Sequence, residues 1–143
     1  MQLSSTAGMQ GLGFRTETFV GKASEAISKG QVVECLLTTL EPDDDISIAI
    51  ANAATVGIYG VATEDIASGK RGVCVLSGKV EILGGDAATA GSPIMPNSSG
   101  QVVAHGGEPT VAVGFCVDTL AVGVLKTCLF DGFRPQRTGD FAA

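Results

Sequence analysis

The chain has 143 residues and a formal charge of −6, with fifteen Asp and Glu against nine Lys and Arg. The basic residues are scattered, and only Lys70 and Arg71 are adjacent, which argues against a nucleic-acid surface. No run of about 18 apolar residues is present to cross a membrane as a helix, and Met1-Gln-Leu-Ser-Ser5 lacks the basic start and apolar stretch of a secretory signal.

Apolar residues make up 45% of the chain, yet it holds only six Phe, one Tyr and no Trp. A core must therefore be built from Val, Ile, Leu and Ala. The 20 glycines lie between apolar runs, as many tight turns require.

Met1 to Gly13 has no helical or strand periodicity and reads as an arm with isolated Leu3, Met9 and Leu12. Phe14 to Lys22 begins to order as a first strand. Ala23 to Ser28 is too short for a stable helix and reads as a single turn. Gln31 to Leu37 reads as a strand, Glu41 to Asp45 as a loop, and Ile46, Ile48 and Ile50 alternate as a half-buried strand. Val56 to Ala62 and Gly72 to Leu76 follow. Ser77-Gly78 reads as the turn of a hairpin into Lys79 to Leu83, with Val80 and Ile82 inward. Pro93 to Pro96 reads as a proline-flanked edge segment, and Gln101 to Ala104 as a strand. Val111, Val113, Phe115 and Val117 form the clearest alternating face. Val124 to Phe130 closes the series, and Asp131 to Ala143 is a polar tail carrying Phe133, Arg134, Arg137 and Phe141.

These spans predict an all-β protein of about ten short strands, a small barrel or a sandwich. The expected division is an N-terminal arm and first strand over 1–22, a β-rich domain over 23–130 and a tail over 131–143.

The chain also repeats itself. Gly60 to Gly78 aligns without a gap on Gly114 to Gly132, with identity at Gly60/Gly114, Ala67/Ala121, Gly69/Gly123, Cys74/Cys128 and Gly78/Gly132. A fainter echo aligns Ala26 to Val33 on Ala87 to Ile94. Each copy reads as a strand, an acidic turn with a glycine, and a second strand, so a pseudo-twofold fold is expected.

Catalytic signals are absent. His105 is the sole histidine and reads as an exposed turn residue. No Gly-x-Ser-x-Gly elbow occurs, Gly11-Leu-Gly13 lacks the rest of a dinucleotide fingerprint, and Gly69-Lys70 lacks the rest of a phosphate loop. Asp43 to Asp45 is a solvated loop before it is a calcium site, because the alternating spacing of a calcium loop is missing. Glu64-Asp65 and Asp118-Thr119 recur in the repeat and read as turn residues bonding nearby backbone. Asn97-Ser-Ser99 fits a glycosylation sequon but reads as a turn. Cys35, Cys74, Cys116 and Cys128 have no zinc spacing and read as buried thiols, with a Cys74–Cys128 bridge as the alternative. No catalytic residue, metal or cofactor is expected.

The run Val56 to Val80, the segment Ala90-Gly-Ser-Pro-Ile94 and the closing stretch Gly114 to Phe130 resemble a family of tailed-phage capsid decoration, or cement, proteins. In that family a Gly-Val-Ala strand precedes an acidic Ala-Gly turn, and an Ala-Gly-x-Pro-Val segment opens a second half. The resemblance covers roughly Ala23 to Phe130. It implies a β-rich protein bound outside an icosahedral phage head, often as a homotrimer, with the major capsid protein and itself as partners. The long arm and the aromatic-basic tail depart from the family pattern. They supply the expected capsid contacts Leu3, Met9, Leu12, Phe14, Arg15, Phe133, Arg134, Arg137 and Phe141. The alternatives are a tail or fibre adaptor, a host-contact module, and a carrier domain with Lys79 as its modified lysine near a hairpin.

Overall fold

The computed structural model describes residues 15–36, 46–52, 57–106, 111–132 and 136–137. Eleven strands and no helix are found among them: β1 (Glu17–Ala23), β2 (Val32–Cys35), β3 (Ile46–Ile50), β4 (Tyr59–Ala62), β5 (Arg71–Leu83), β6 (Pro93–Pro96), β7 (Val102–Ala104), β8 (Val111–Ala112), β9 (Gly114–Cys116), β10 (Leu125–Asp131) and β11 (Gln136–Arg137). The all-β expectation holds, and the architecture is barrel-like. β1, β3, β2, β4 and β5 form a closed five-stranded barrel, because β1 pairs with both β3 and β5. β5 then runs on to pair with β10, and β10, β9, β6 and β7 continue the sheet. A parallel bridge from Gly84, next after β5, to Val102 on β7 brings that second set of five back on itself.

The two five-stranded units are copies in register. Phe19 opposite Cys74 in the first becomes Val80 opposite Cys128 in the second. Val61 opposite Val75 becomes Phe115 opposite Leu129. Val33 opposite Ile50 becomes Ile94 opposite Ala104, and Ala23 opposite Ile48 becomes Gly84 opposite Val102. The numbering offset falls from 61 to 54 between β2 and β3, so the first copy holds seven extra residues there. That stretch includes Asp43 to Asp45, which lie outside the described residues.

Each copy is tied by a pair of interlocked turns. Ile27 and Ile66 exchange backbone hydrogen bonds of 2.8 Å, and Leu120 donates to Ala88 at 2.8 Å in the second copy. In all four turns a glycine N–H reaches across to the partner's strand end: Gly30 to Ala62, Gly69 to Ala23, Gly91 to Cys116 and Gly123 to Gly84, at 2.7–2.8 Å. These four glycines have φ of +73° to +90°, where a side chain is strained. The span Ala23 to Ser28 is such a turn and not a helical one.

The cores follow the same equivalence. Ile27, Val33, Ile48, Ala62, Ile66 and Cys74 form the first, with Phe19 packed against them. Ala88, Ile94, Val102, Cys116, Leu120 and Cys128, with Val80, are their counterparts in the second. Cys74 and Cys128 thus occupy matching inward positions in separate cores, and all four cysteines are free, which removes the bridge between them.

Three sequence expectations fail. Ser77-Gly78 is no hairpin turn, because β5 continues through it for 13 residues. Gly78 takes φ +124° and lets the strand bend from one barrel into the other. Pro93 to Pro96 is no edge, since β6 lies between β9 and β7. Its prolines stand at the strand ends, where a missing N–H costs least. The alternation through Val111 to Val117 breaks at Val113-Gly114. Gly114 at φ +152° packs against the Leu129 carbonyl and shifts the phase, so Val113 and Cys116 are buried while Phe115 and Val117 are exposed.

A Cβ at Gly69 or Gly123 would meet nothing within 4 Å, whereas at Gly30 it would collide with the Leu125 side chain. Gly69→Ala and Gly123→Ala are therefore expected to cost about 1–2 kcal/mol each, from backbone strain alone. Gly30→Ala should cost more than either. Urea denaturation of the three variants checks the ranking.

Candidate functional site

The start of β1 and the end of β10 meet at one point. Glu17, first in β1, and Asp131, last in β10, both pair with Ser77. The Ser77 hydroxyl donates to Glu17 Oε1 at 3.3 Å. Arg15 and Thr16 cross directly over Gly78, where a Cβ would lie 2.8 Å from the Arg15 carbonyl oxygen and from the Thr16 Cα. On the other side Gly132 donates to the Leu76 carbonyl and accepts from the Tyr59 N–H, both at 2.9 Å. A Cβ on Gly132 would strike the Tyr59 carbonyl oxygen. Further along the chain β11 pairs with β8, with Arg137 opposite Val111.

Of the expected contact residues, Arg15 is exposed beside this junction and Arg137 has its backbone in the β8–β11 ladder. Leu3, Met9, Leu12, Phe14, Phe133, Arg134 and Phe141 lie outside the described residues. Sequence reasoning missed Ser77, Gly78 and Gly132 as the junction. The signal was the Gly78/Gly132 identity in the repeat, which marks where one five-stranded unit ends.

Glu64, Asp65 and Asn97 hold turns. Glu64 Oε2 accepts the Val73 N–H at 3.1 Å, and Asp65 Oδ1 accepts the Lys29 N–H at 2.8 Å, as expected of turn residues. Asn97 Oδ1 accepts from the Ser99 and Gln101 N–H groups, which makes it a turn residue too. His105 is half-buried just past β7, and not exposed, with its backbone N–H on the Pro93 carbonyl. Lys79 lies mid-strand opposite Leu129, which removes the hairpin tip that a carrier lysine occupies. Among the described residues no three His, Cys, Asp or Glu side chains cluster to hold a metal.

Burial pushes the Cys35 thiol up to about 11 and those of Cys74 and Cys128 up to about 12. Neighbouring Cys35 and Glu64 add to the effect at Cys74, and Cys116 and Asp118 at Cys128. These groups stay protonated at neutral pH, which leaves them poor nucleophiles.

No protein-family model and no curated protein matches the chain. Its fold is similar to that of a solved phage protein. The N base of the head fibre protein gp8.5 of bacteriophage phi29 superposes with a TM-score of 0.64 at 20% identity, over 82% of this chain and 95% of that one.

Two outcomes follow. Because folding raises the thiol pKa values above the ordinary 9.0, their contribution to stability is complete below about pH 9 and is lost as pH rises toward 12. The urea midpoint should fall across that window, and less steeply in Cys74→Ala and Cys128→Ala. Gly132→Val should cost at least about 1–3 kcal/mol through overpacking against Tyr59, read as a lowered midpoint in the same assay.

Proposed function

We propose that the chain is a structural virion protein that binds the outside of an icosahedral phage head and reinforces contacts between major capsid protein subunits. The observation that carries this reading is the fold shared with the base of a phage head fibre over nearly all of that base. The meeting of β1 and β10 at Ser77 supports it. The proposal is that Leu3, Met9, Leu12, Phe14, Arg15, Phe133, Arg134, Arg137 and Phe141, which precede β1 or follow β10 in the chain, act together as one attachment pole. Several copies, a trimer on the resemblance described above, would engage neighbouring capsid subunits at once and gain effective concentration.

The role is mechanical. Cys35, Cys74 and Cys128 stay protonated at neutral pH, Glu64 and Asp65 bond backbone groups, and no nucleophile motif accompanies His105. A second reading is favoured by the neighbour being the base of a fibre: the domain would seat a projecting element on the head, not cement it.

Heat-inactivation curves of particles with and without the protein test the proposal. Reinforcement predicts earlier loss of infectivity without it, and superimposable curves favour the fibre-base reading. Deleting residues 1–13 should leave a folded domain that no longer binds heads, measured by co-sedimentation. His105→Ala should leave the inactivation curve unchanged.

A further inference from the structure

The duplication lets one copy serve as the reference for the other. In the first barrel Val32, Val61 and Val75 stand in one row across β2, β4 and β5, facing out of that barrel. All three are buried, at 0–3% exposure. Val32, Tyr59 and Val61 pack into the same cluster as Ile82, Ile94, Val113 and Phe130 of the second barrel. The Val32 N–H donates to the carbonyl of Gly100 there, at 2.6 Å. Val32 and Val61 of this row lie in the surface by which the first barrel docks on the second.

The equivalent row of the second barrel is Pro93, Phe115 and Leu129, across β6, β9 and β10. It is equally apolar, yet Phe115 is 39% exposed and the other two are half-buried. Phe115 and Leu129 border an open concavity of about 200 Å³. The adjoining turn extends the contrast. Val117, Val122 and Val124 are 44%, 66% and 44% exposed. Their counterparts in the first copy are Thr63, Ser68 and Lys70. At these six positions the first copy is apolar where it is covered and polar where it is not. The second copy is apolar at all six and fully buried at none. Three exposed valines are not a requirement of the turn, since its first-copy equivalent forms with Thr, Ser and Lys.

We infer that the face formed by Pro93, Phe115, Leu129, Val117, Val122 and Val124 docks a second copy of this chain. The row it repeats already fits a barrel of this fold, and none of the six side chains carries charge. Pro93 stands at the position of Val32, whose N–H donates to Gly100, so at that position this face has no N–H for a mate to satisfy. This deepens the proposed role, which needs copies acting together, but its test requires no particle.

The full-length protein is examined by sedimentation velocity over a concentration series, as wild type, Phe115→Glu, Val122→Lys and Ser68→Lys. The wild type should sediment as an oligomer at high concentration. Phe115→Glu and Val122→Lys should each weaken association at least tenfold, with far-UV circular dichroism and melting midpoint close to wild type. Ser68→Lys, the first-copy counterpart of the Val122 change, should associate as wild type does. A wild type monomeric at about 100 μM would overturn the inference, as would folded Phe115→Glu and Val122→Lys variants that associate normally. A monomeric wild type whose binding to heads is abolished by Phe115→Glu would also overturn it, assigning the face to the capsid and leaving the proposed function standing.

Discussion

Two five-stranded units share one strand, and that strand can serve both because residue 78 is a glycine. β5 gives its first half to the barrel of β1 to β4 and its second half to pairing with β10. The change of direction falls at φ +124°, a conformation L side chains rarely adopt. The same point carries Ser77, flanked by Glu17 and Asp131, so the kink also fixes where the chain enters and leaves. Gly132 completes the lock by bonding Leu76 and Tyr59 on the first barrel. The Tyr59 N–H belongs to a buried strand, and losing its acceptor would leave a donor unsatisfied at a cost of about 1–3 kcal/mol.

The two copies tolerate different cores because the turns that tie them are made of backbone. The glycine N–H groups and the exchanged carbonyls ask little of the side chains around them, so the copies could diverge in volume if the changes compensate. At Gly21 a Cβ would sit 2.8 Å from Ile48. The second copy places Ile82 at that position and trims the facing residue to Val102. Ile27 against Ile66 becomes Ala88 against Leu120, a smaller pair at the same place. Inward patterning persists while individual residues change.

The strand content, the repeat, the acidic turns and most inward positions were legible in the sequence, because period-two alternation and glycine placement are local signals. The failures share a cause: each depended on what lies on the other side of a strand. Ser77-Gly78 has the composition of a hairpin turn, and only pairing with two different partners makes it continuous. Pro93 to Pro96 looks like an edge until both neighbours are seen. Val111 to Val117 alternates in sequence, but the close approach of Gly114 to Leu129 moves the phase, a contact between residues 15 apart in the chain. The proposed attachment pole was half legible. The apolar and basic residues of the arm and tail stood out by composition, whereas the convergence of their roots required the register of β1 and β10 on β5.

That convergence bears on how weak contacts could add up. An extended arm of thirteen residues would reach at most about 43 Å at ~3.3 Å per residue. Its root lies beside that of the tail, so once one has engaged a surface the other is held within that radius of the same patch. The second contact then forms from an effective concentration set by the tether and not by the solution. Tethers rooted at opposite ends of the domain would have to bridge its full length before both could act. On the proposed reading, the junction at Ser77 therefore concentrates attachment on one pole. The apolar row across β6, β9 and β10 draws on none of the proposed anchor residues, so lateral association would not compete with them for the same side chains.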